Sequence, residues 1–265
     1  MTVPVRRIEE LERANYRAML PTAQVTPGLD VLIRDDVVIT RSVLFPTPDA
    51  NHACLLRVAE EQTDRLLDEI EEMYAPHGLP TTIAISSACL PADWTTRLER
   101  RGYVAQRERE AWMVLENVSN LATPDPFEGV EVRQIDAGEA AQFARVFLDA
   151  FQMPGEYAPY MAELLEPSVG LPDSFHYLAL VGNEPVGTFS LLRHGRFGVI
   201  GSAGVVESHR RSGAATNLMI CSVRESQRLG IDTLLQQTTA NTTLERLLRI
   251  TGFQTLFTRT YYVSE

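Results

Sequence analysis

Cysteine is scarce in this chain of 265 residues, and its three copies, Cys54, Cys89 and Cys221, are widely separated. An odd, scattered set does not make a disulfide framework, so we expect free thiols and a cytoplasmic protein. The five histidines also stand apart from one another and from the cysteines. Because a metal site needs several such ligands at close spacing, we expect no metal.

Long apolar runs and an excess of positive charge are missing as well. The N-terminal segment leads through Arg6 and Arg7 into Glu9, Glu10 and Glu12 with no apolar core segment, so we expect no signal peptide. No apolar run is long enough to span a membrane. Acidic residues outnumber basic ones by 35 to 24, which gives a formal net charge of −11. Such a charge repels nucleic acid and anionic membranes, so we expect neither as a partner, whereas a cationic amine is compatible with it.

The composition is otherwise that of a soluble globular chain, with 45% hydrophobic and 22% charged residues. A length of 265 residues leaves room for two domains. The segment 117–129 contains two prolines and several small polar residues, which is typical of a linker. We therefore predict a first domain at 1–120, a linker at 121–128 and a second domain at 129–265.

One stretch of the chain carries a chemical signature. Small and β-branched residues from Val199 to Val206 predict a buried strand, and apolar residues from Leu218 onward predict a helix. Between them the chain turns through Arg210, Gly213 and Ala215. The first N–H groups of a helix lack partners within it, its dipole favours negative charge, and small residues let a ligand approach the backbone. The stretch therefore predicts an anion site, and its arginines suit a phosphate.

The spacing Arg210-x-x-Gly213-x-Ala215 differs from the dinucleotide-binding Gly-x-Gly-x-x-Gly, and no Lys-Ser/Thr pair follows it as in a P-loop. It resembles the acyl-CoA-binding signature of the GNAT superfamily of N-acetyltransferases, Arg/Gln-x-x-Gly-x-Gly/Ala. Taken alone, the spacing is also compatible with an ordinary strand-to-helix turn. The order of the surrounding predicted elements favours the resemblance to GNAT proteins over an ordinary turn.

From about residue 130 to residue 265, that order is similar to the order in GNAT proteins. The predicted elements are a strand at 130–133, a helix capped by Asp136 and Glu139, a hairpin around Gly182-Asn183, a strand at 233–237, Asn241, a helix at 242–250 ending in Gly252-Phe253, and a closing strand.

The resemblance implies an α/β (α+β) fold with two GNAT-like domains. Each would be a mixed, mostly antiparallel sheet with flanking helices, and the C-terminal copy would have a splayed acyl-CoA cleft. It also implies acetyl-CoA as co-substrate, bound between the fourth and fifth strands. The implied cofactor-binding residues are Gly204, Val205, Val206, Arg210, Arg211, Ser212, Gly213, Ala214, Ala215, Thr216 and Asn241. For Asn241 we keep a second interpretation, the N-cap of the following helix.

Similar residues recur in the two halves of the chain at a fixed offset. Gly102-Tyr103 lies 252 − 102 = 150 positions before Gly252-Phe253, and Trp112-Met113 falls on Tyr262-Val263. A fixed offset indicates two copies of one fold. The acidic segment 60–65 then lies opposite the phosphate loop, where its carboxylates would repel a phosphate. We predict a degenerate, GNAT-like N-terminal half that does not bind CoA; the alternative is an unrelated α/β domain.

The sequence leaves the catalytic residues unknown. Many GNAT proteins carry a Tyr four residues before the Gly of Gly-Phe, and this position is Leu248, which cannot donate a proton. Many also carry a Glu on the fourth strand, whereas this strand has no carboxylate before Glu207, which we expect to face solvent. Further candidates, each more simply read as a structural residue, are Tyr157, Tyr160, His176, His194, Tyr261 and Tyr262.

The predicted function is transfer of an acetyl group from acetyl-CoA to an amine by direct attack. The alternative is a non-catalytic acyl-CoA-binding sensor or partner protein, which the missing Tyr and Glu favour. The acceptor, a small molecule or a peptide amine, would be selected by the variable segment Gln152–Ser174. A homodimer is left open.

Overall fold

The computed structural model describes residues 3–264. Their contacts divide the chain into two compact units. The first comprises the residues up to Arg17, Gly28–Val114 and those from Gln237 onward, and the second comprises Ala18–Pro27 and Leu115–Gln236. The predicted boundaries at 120 and 129 refer to two halves with a common fold rather than to contacts, and they stay a prediction.

The regular elements of the described residues are seven helices and eleven strands. The helices are α1 (Val5–Val25), α2 (Thr63–Tyr74), α3 (Trp94–Arg100), α4 (Ala140–Phe151), α5 (Ala158–Leu165), α6 (Ala214–Arg228) and α7 (Thr243–Ile250). The strands are β1 (Leu29–Ile33), β2 (Val38–Ser42), β3 (His52–Cys54), β4 (Thr82–Ile85), β5 (Tyr103–Glu116), β6 (Val130–Gln134), β7 (Ser174–Val181), β8 (Glu184–His194), β9 (Phe197–Val205), β10 (Thr233–Thr239) and β11 (Gln254–Ser264).

In the first unit, the strands follow the order β1-β2-β3-β4-β11-β5. Neighbouring strands are antiparallel except for the parallel pair β3 and β4. The last strand of the chain, β11, is therefore central here: Tyr262 lies opposite Ile83 of β4, and Gln254 lies opposite Val114 of β5. Helices α2 and α3 contribute Leu66, Leu67, Ile70, Tyr74, Trp94 and Leu98 to the core of this unit.

In the second unit, the strands follow the order β10-β9-β8-β7-β6, and all neighbours are antiparallel except β9 and β10. Helix α6 approaches β8 at Gly187, where an added Cβ would lie 3.1 Å from Leu218. Helix α4 approaches β9 at Gly204, where an added Cβ would lie 3.0 Å from Ala150. Gly187 is paired with Val205, the neighbour of Gly204, so the two helices cover opposite faces of the sheet.

The predicted fold class, a mixed α/β fold with a mostly antiparallel sheet, is confirmed. Local predictions are confirmed too. Asp136 and Glu139 form a capping box, and Gly182-Asn183 is the two-residue turn between β7 and β8. The N-cap interpretation of Asn241 is wrong, because the side chain that accepts from the first turn of α7 belongs to Thr242.

None of the helices between residues 3 and 264 combines the length and the apolar character needed to cross a membrane. Over the same residues, no three His, Cys, Asp or Glu side chains come together as a metal-binding group.

Candidate functional site

Strands β9 and β10 of the second unit run side by side for a short distance. Their register begins at Phe197 opposite Thr233 and ends at Ile200 opposite Gln236. Strand β9 continues to Val205 and stays paired with β8 on its other edge. Beyond Ile200, strand β10 no longer pairs with this edge of β9.

A β-bulge lies within this part of β9. The register with β8 shifts between the pairs Ser190 with Gly201 and Thr188 with Gly204, so that one extra residue is inserted in β9. Ser202 has φ +50°, and its carbonyl accepts a hydrogen bond from the Thr188 hydroxyl at 2.7 Å. Because a bulge bends a strand and increases its twist, it helps β9 to part from β10.

The chain leaves β9 through a short turn and enters the loop that precedes α6. Val206 already uses its backbone, since its N–H donates to Val186 and its carbonyl accepts from His209. Of the three strand residues predicted to bind pantetheine, Val205 is thus better suited than Val206, because alternate residues of an antiparallel strand direct their backbone groups to opposite edges.

The loop itself presents unpartnered donors. Within residues 3–264, no acceptor is found for the backbone N–H groups of Arg211, Gly213, Ala215 and Thr216. The two intervening donors are occupied: Ser212 N–H donates to His209, and Ala214 N–H donates to the Ser212 hydroxyl. Helix α6 also has no acidic residue in its first turn. Four free N–H groups and the dipole of α6 are features that an anion site would use, and the binding of an anion here stays a prediction.

Gly213 has two reasons to be glycine. Its φ is +91°, in the left-handed region that residues with a Cβ rarely adopt. An added Cβ would also lie 2.9 Å from both Cβ and Cγ of Phe127, which is too close. Any side chain at this position would therefore disturb the loop even without a ligand.

Phe127 is held in place by a single buried side chain. Asn217, at the end of the first turn of α6, is 3% exposed. Its Oδ1 accepts from the Phe127 N–H at 2.8 Å, and its Nδ2 donates to the Phe127 and Val130 carbonyls at 3.0 and 2.9 Å. Neither Phe127 nor Asn217 was predicted from the sequence as part of the site. The signal available in the sequence was an aromatic residue, Phe127, within a proline-rich linker.

Positive charge on this surface comes from Arg210 and Arg211, both of which are exposed. Arg210 lies 4.0 Å from Glu207, a long separation for an ion pair, with half of its side chain in solvent. An exposed pair of this kind contributes little, so Arg210 can turn toward an anion at low cost. Arg211 has φ +78°, which directs the backbone around the loop.

The end of α4 covers the other face of β9. Phe151 is half exposed, and its ring approaches Gly204 closely enough that an added Cβ would lie 3.0 Å away. It also packs against Phe147, with ring centroids 4.8 Å apart. Next to it, the Gln152 amide donates to Glu207 at 3.1 Å. This is the start of the segment predicted to select the acceptor, and that role stays a prediction.

The structure shows what occupies the positions at which a general acid and a general base were missing from the sequence. Leu248 on α7 is 3% exposed and has no proton to give. Glu207 is 71% exposed, so it faces solvent as expected. His176 is a satisfied core histidine: its ring contacts the hydroxyls of Ser168, Ser174 and Ser190, and burial lowers its pKa to about 4. The structure therefore adds no catalytic residue to the unassigned set.

The buried Tyr261 and Tyr262 belong to the core of the first unit. The Tyr261 hydroxyl donates to Glu110 at 3.2 Å and accepts from Arg259 at 3.0 Å. Asn241 also lies in this unit, with φ +64° and its N–H donating to the Glu245 carboxylate at 2.6 Å. Its predicted contact with pantetheine stays a prediction, whereas the predicted residues from Gly204 to Thr216 lie together in the second unit.

The first unit has a hydrogen-bonded backbone at the corresponding place. After β3, the Leu56 carbonyl accepts from Leu90 N–H at 2.7 Å, and Val58 N–H donates to the Leu90 carbonyl at 3.2 Å. At the offset of 150 residues, Leu56 corresponds to Val206. Backbone groups at this position are thus used within the chain in both halves, and the prediction that the N-terminal half does not bind CoA stays a prediction.

Comparisons with known proteins agree with this description. Residues 141–253 match the model of the Acetyltransferase (GNAT) family. No curated protein matches the chain. Among solved structures, the chain is similar to a GCN5-related N-acetyltransferase from Kribbella flavida, with 15% identity, a TM-score of 0.70, and coverage of 100% of this chain and 96% of that one.

Two further solved structures share the fold. A GCN5-related N-acetyltransferase from Sphaerobacter thermophilus has 17% identity and a TM-score of 0.60, over 90% of this chain and 82% of that one. A tandem GNAT protein from the clavulanic acid biosynthesis pathway has 13% identity and a TM-score of 0.63, over 94% of this chain and 87% of that one. These likenesses concern the fold, and they extend over both halves of the chain. Residues 141–253 are therefore a domain of the GNAT acetyltransferase family, in a chain whose N-terminal half is GNAT-like by fold.

Proposed function

We propose that this chain is an N-acyltransferase that moves an acetyl group from acetyl-CoA to an amine acceptor. The observation that carries the proposal is the loop before α6, whose four N–H groups find no acceptor among the described residues. It follows the end of β9 that β10 leaves unpaired, within the family segment 141–253. An extended arm with amide groups that ends in a pyrophosphate fits both features, and acyl-CoA has this form.

Each part of the site would hold one part of the cofactor. The backbone of Val205 would bond a pantetheine amide as a neighbouring strand does. The free N–H groups from Arg211 to Thr216 would bind the pyrophosphate, and Arg210 would add a charged donor. Acetyl-CoA supplies the activated thioester. The chain's contribution is to position that thioester beside the amine.

The proposal does not depend on a general acid at Leu248. Positioning of two reactants supplies a large share of rate enhancement, whereas general acid–base catalysis adds roughly 10²–10⁴-fold. The thiolate is also a good leaving group. The free thiols Cys54, Cys89 and Cys221 fit the reducing cytoplasm that we propose as its location.

A second candidate function is a non-catalytic acyl-CoA-binding protein. The observation that favours it is the pair of empty catalytic positions: Leu248 is buried, and β9 contains no carboxylate from Phe197 to Val205. Such a protein would keep the loop before α6 and lack turnover. Binding and turnover must therefore be measured separately.

Ala215→Glu is the sharpest test of the cofactor site. Ala215 is exposed in the first turn of α6, so a carboxylate there complements the helix dipole and leaves the fold intact. The same carboxylate would repel a pyrophosphate. We expect calorimetry to show about one acetyl-CoA per wild-type chain and at least tenfold weaker binding to Ala215→Glu, about 1.4 kcal/mol.

The matched control is Ala215→Gln, which has the same length without the charge and should lose much less affinity. Equal loss in both variants would mean that bulk rather than charge matters. Absence of binding to the wild type would overturn the cofactor assignment. Gly213 is unsuitable for this test, because its φ and its contact with Phe127 make any substitution disruptive.

Turnover with a panel of primary amines then separates the two candidate functions. Release of free CoA that depends on the added amine would support the acyltransferase, and binding without release would support the sensor. All 24 basic residues are arginine, so the chain has no lysine side chain to acetylate itself. Background from self-acetylation of side-chain amines is therefore absent.

A further inference from the structure

An exposed aromatic ring stands beside the proposed pyrophosphate site. Phe127 is 55% exposed, and the residues on either side of it in the linker are exposed as well. Single exposed apolar residues are common in soluble proteins and need no explanation. Phe127 differs from such residues in two ways. Hydrogen bonds fix its backbone, and its side chain contacts the loop before α6.

The backbone of Phe127 is fixed at both of its polar groups. The N–H donates to Asn217 Oδ1 at 2.8 Å, and the carbonyl accepts from Asn217 Nδ2 at 3.0 Å. Asn217 is buried in α6, three residues after the helix begins at Ala214. A buried amide that satisfies one linker residue so completely holds that residue in register with the start of the helix.

The side chain of Phe127 lies directly on the loop. Its Cβ and Cγ are the atoms that a Cβ on Gly213 would meet at 2.9 Å. The base of the Phe127 side chain is thus placed beside Gly213 in the loop that carries the free N–H groups, and more than half of the side chain remains open to solvent. A flat apolar surface is therefore held next to the predicted anion site.

We propose that Phe127 is the contact surface for the adenine ring of the acyl-CoA. This inference rests on the proposed function. The adenosine of CoA is joined to the pyrophosphate, so a pyrophosphate bound at the loop places the base near the loop as well. An aromatic side chain can stack on the face of any nucleobase, whichever base it is. The preorganised ring of Phe127 would supply affinity for the nucleotide end of the cofactor and none for the pantetheine end.

The test compares Phe127→Leu with Phe127→Tyr, and acetyl-CoA with S-acetyl-4′-phosphopantetheine, which lacks the 3′-phosphoadenosine and one phosphate of the pyrophosphate. Each variant is compared with the wild type on the same ligand. Leucine keeps an apolar group against Gly213 but cannot stack, and tyrosine keeps the ring. We expect Phe127→Leu to bind acetyl-CoA about tenfold more weakly and to bind acetyl-phosphopantetheine like the wild type. Phe127→Tyr should bind both as the wild type does.

Three outcomes would overturn the inference. Equal weakening for both ligands would make Phe127 a support of the loop rather than a contact of the base. Unchanged binding of acetyl-CoA in Phe127→Leu would remove its role and leave the proposed function standing. Failure of the wild type to bind acetyl-CoA would remove both.

Phe127→Trp gives a readout that does not depend on affinity. Trp94 and Trp112 are both 1% exposed, so their emission should not change when a ligand binds at the surface. Stacking of adenine on the introduced indole should quench its emission on addition of acetyl-CoA, and acetyl-phosphopantetheine should leave the emission unchanged. No quenching at a saturating concentration of acetyl-CoA would contradict stacking.

Discussion

His176 shows how a histidine can be costly to protonate without being catalytic. It is buried in the second unit, and its hydrogen-bond partners are the hydroxyls of Ser168, Ser174 and Ser190. Burial without a carboxylate partner lowers its pKa from 6.5 to about 4. The folded protein thus favours neutral His176, whereas the unfolded chain takes up the proton near pH 6.5.

The sign of the resulting pH dependence follows from linkage. Between pH 6.5 and 4 the unfolded state binds more protons at this site, so the contribution of His176 to stability is full above pH 6.5 and is lost as the pH falls. His176→Gln cannot titrate. We expect the wild type to lose on the order of 2 kcal/mol more than this variant between pH 7 and pH 5, measured by urea unfolding. Parallel curves for the two proteins would contradict the assignment.

At the scale of elements, the segment between the two halves is attached to α6. Gln227 donates to the Val118 and Leu121 carbonyls, Arg224 donates to Thr123 and Pro124, and Asn217 bonds Phe127 and Val130. Prolines and small polar residues correctly predicted a segment without regular strands. They could not predict its attachment, because the donors come from a helix about a hundred residues later in the sequence.

Asn217→Ala tests this attachment. It removes the acceptor of the Phe127 N–H and both donors to nearby carbonyls in a site that is buried. We expect a loss of about 2–3 kcal/mol in unfolding free energy and faster amide hydrogen exchange at Phe127. Arg224→Ala is the matched control, because its bonds to the same segment are exposed and should contribute under about 1 kcal/mol. Unchanged exchange at Phe127 would show that other contacts hold the linker.

The site was predictable to the extent that it is local. Gly213 and Ala215 stand in a short motif whose backbone requirement can be read from the residue types, and Asp136 with Glu139 form a local capping pair. Phe127 contacts Gly213 although the two residues are far apart in the sequence, and no local sequence pattern predicts such a contact. The predicted N-cap, Asn241, is one residue before the observed N-cap, Thr242, because both residues carry a side-chain acceptor that can cap a helix.

For the whole molecule, the offset of 150 residues predicted two similar halves but not which strands would pair. Strand β11, from the end of the chain, lies between β4 and β5 in the first unit. A buried cluster also ties it there: Arg259 donates to Tyr16 at 2.6 Å and to Glu110 at 2.7 Å. Alternation of polar and apolar residues predicts a strand and its faces, whereas the identity of its neighbours depends on pairing across the chain.

This pairing predicts that residues 1–128 do not fold alone. Without β11, strands β4 and β5 would each lose a neighbour, and Glu12 and Glu110 would lose the buried guanidinium of Arg259. Unpaired edges and uncompensated buried carboxylates both favour aggregation or unfolding. We expect this fragment to be insoluble or to lack a cooperative thermal transition by circular dichroism.

A matched fragment supplies the missing strand. Gln254 lies opposite Val114 in the antiparallel pair of β5 and β11, so a turn of about two to four residues can join residues 3–114 directly to residues 254–264. This hairpin restores both neighbours of β11 and returns Arg259 to its carboxylates. We expect it to be more soluble than residues 1–128 and to unfold cooperatively. A cooperative transition in residues 1–128, at the same temperature as in the joined fragment, would mean that β11 is dispensable for the first unit.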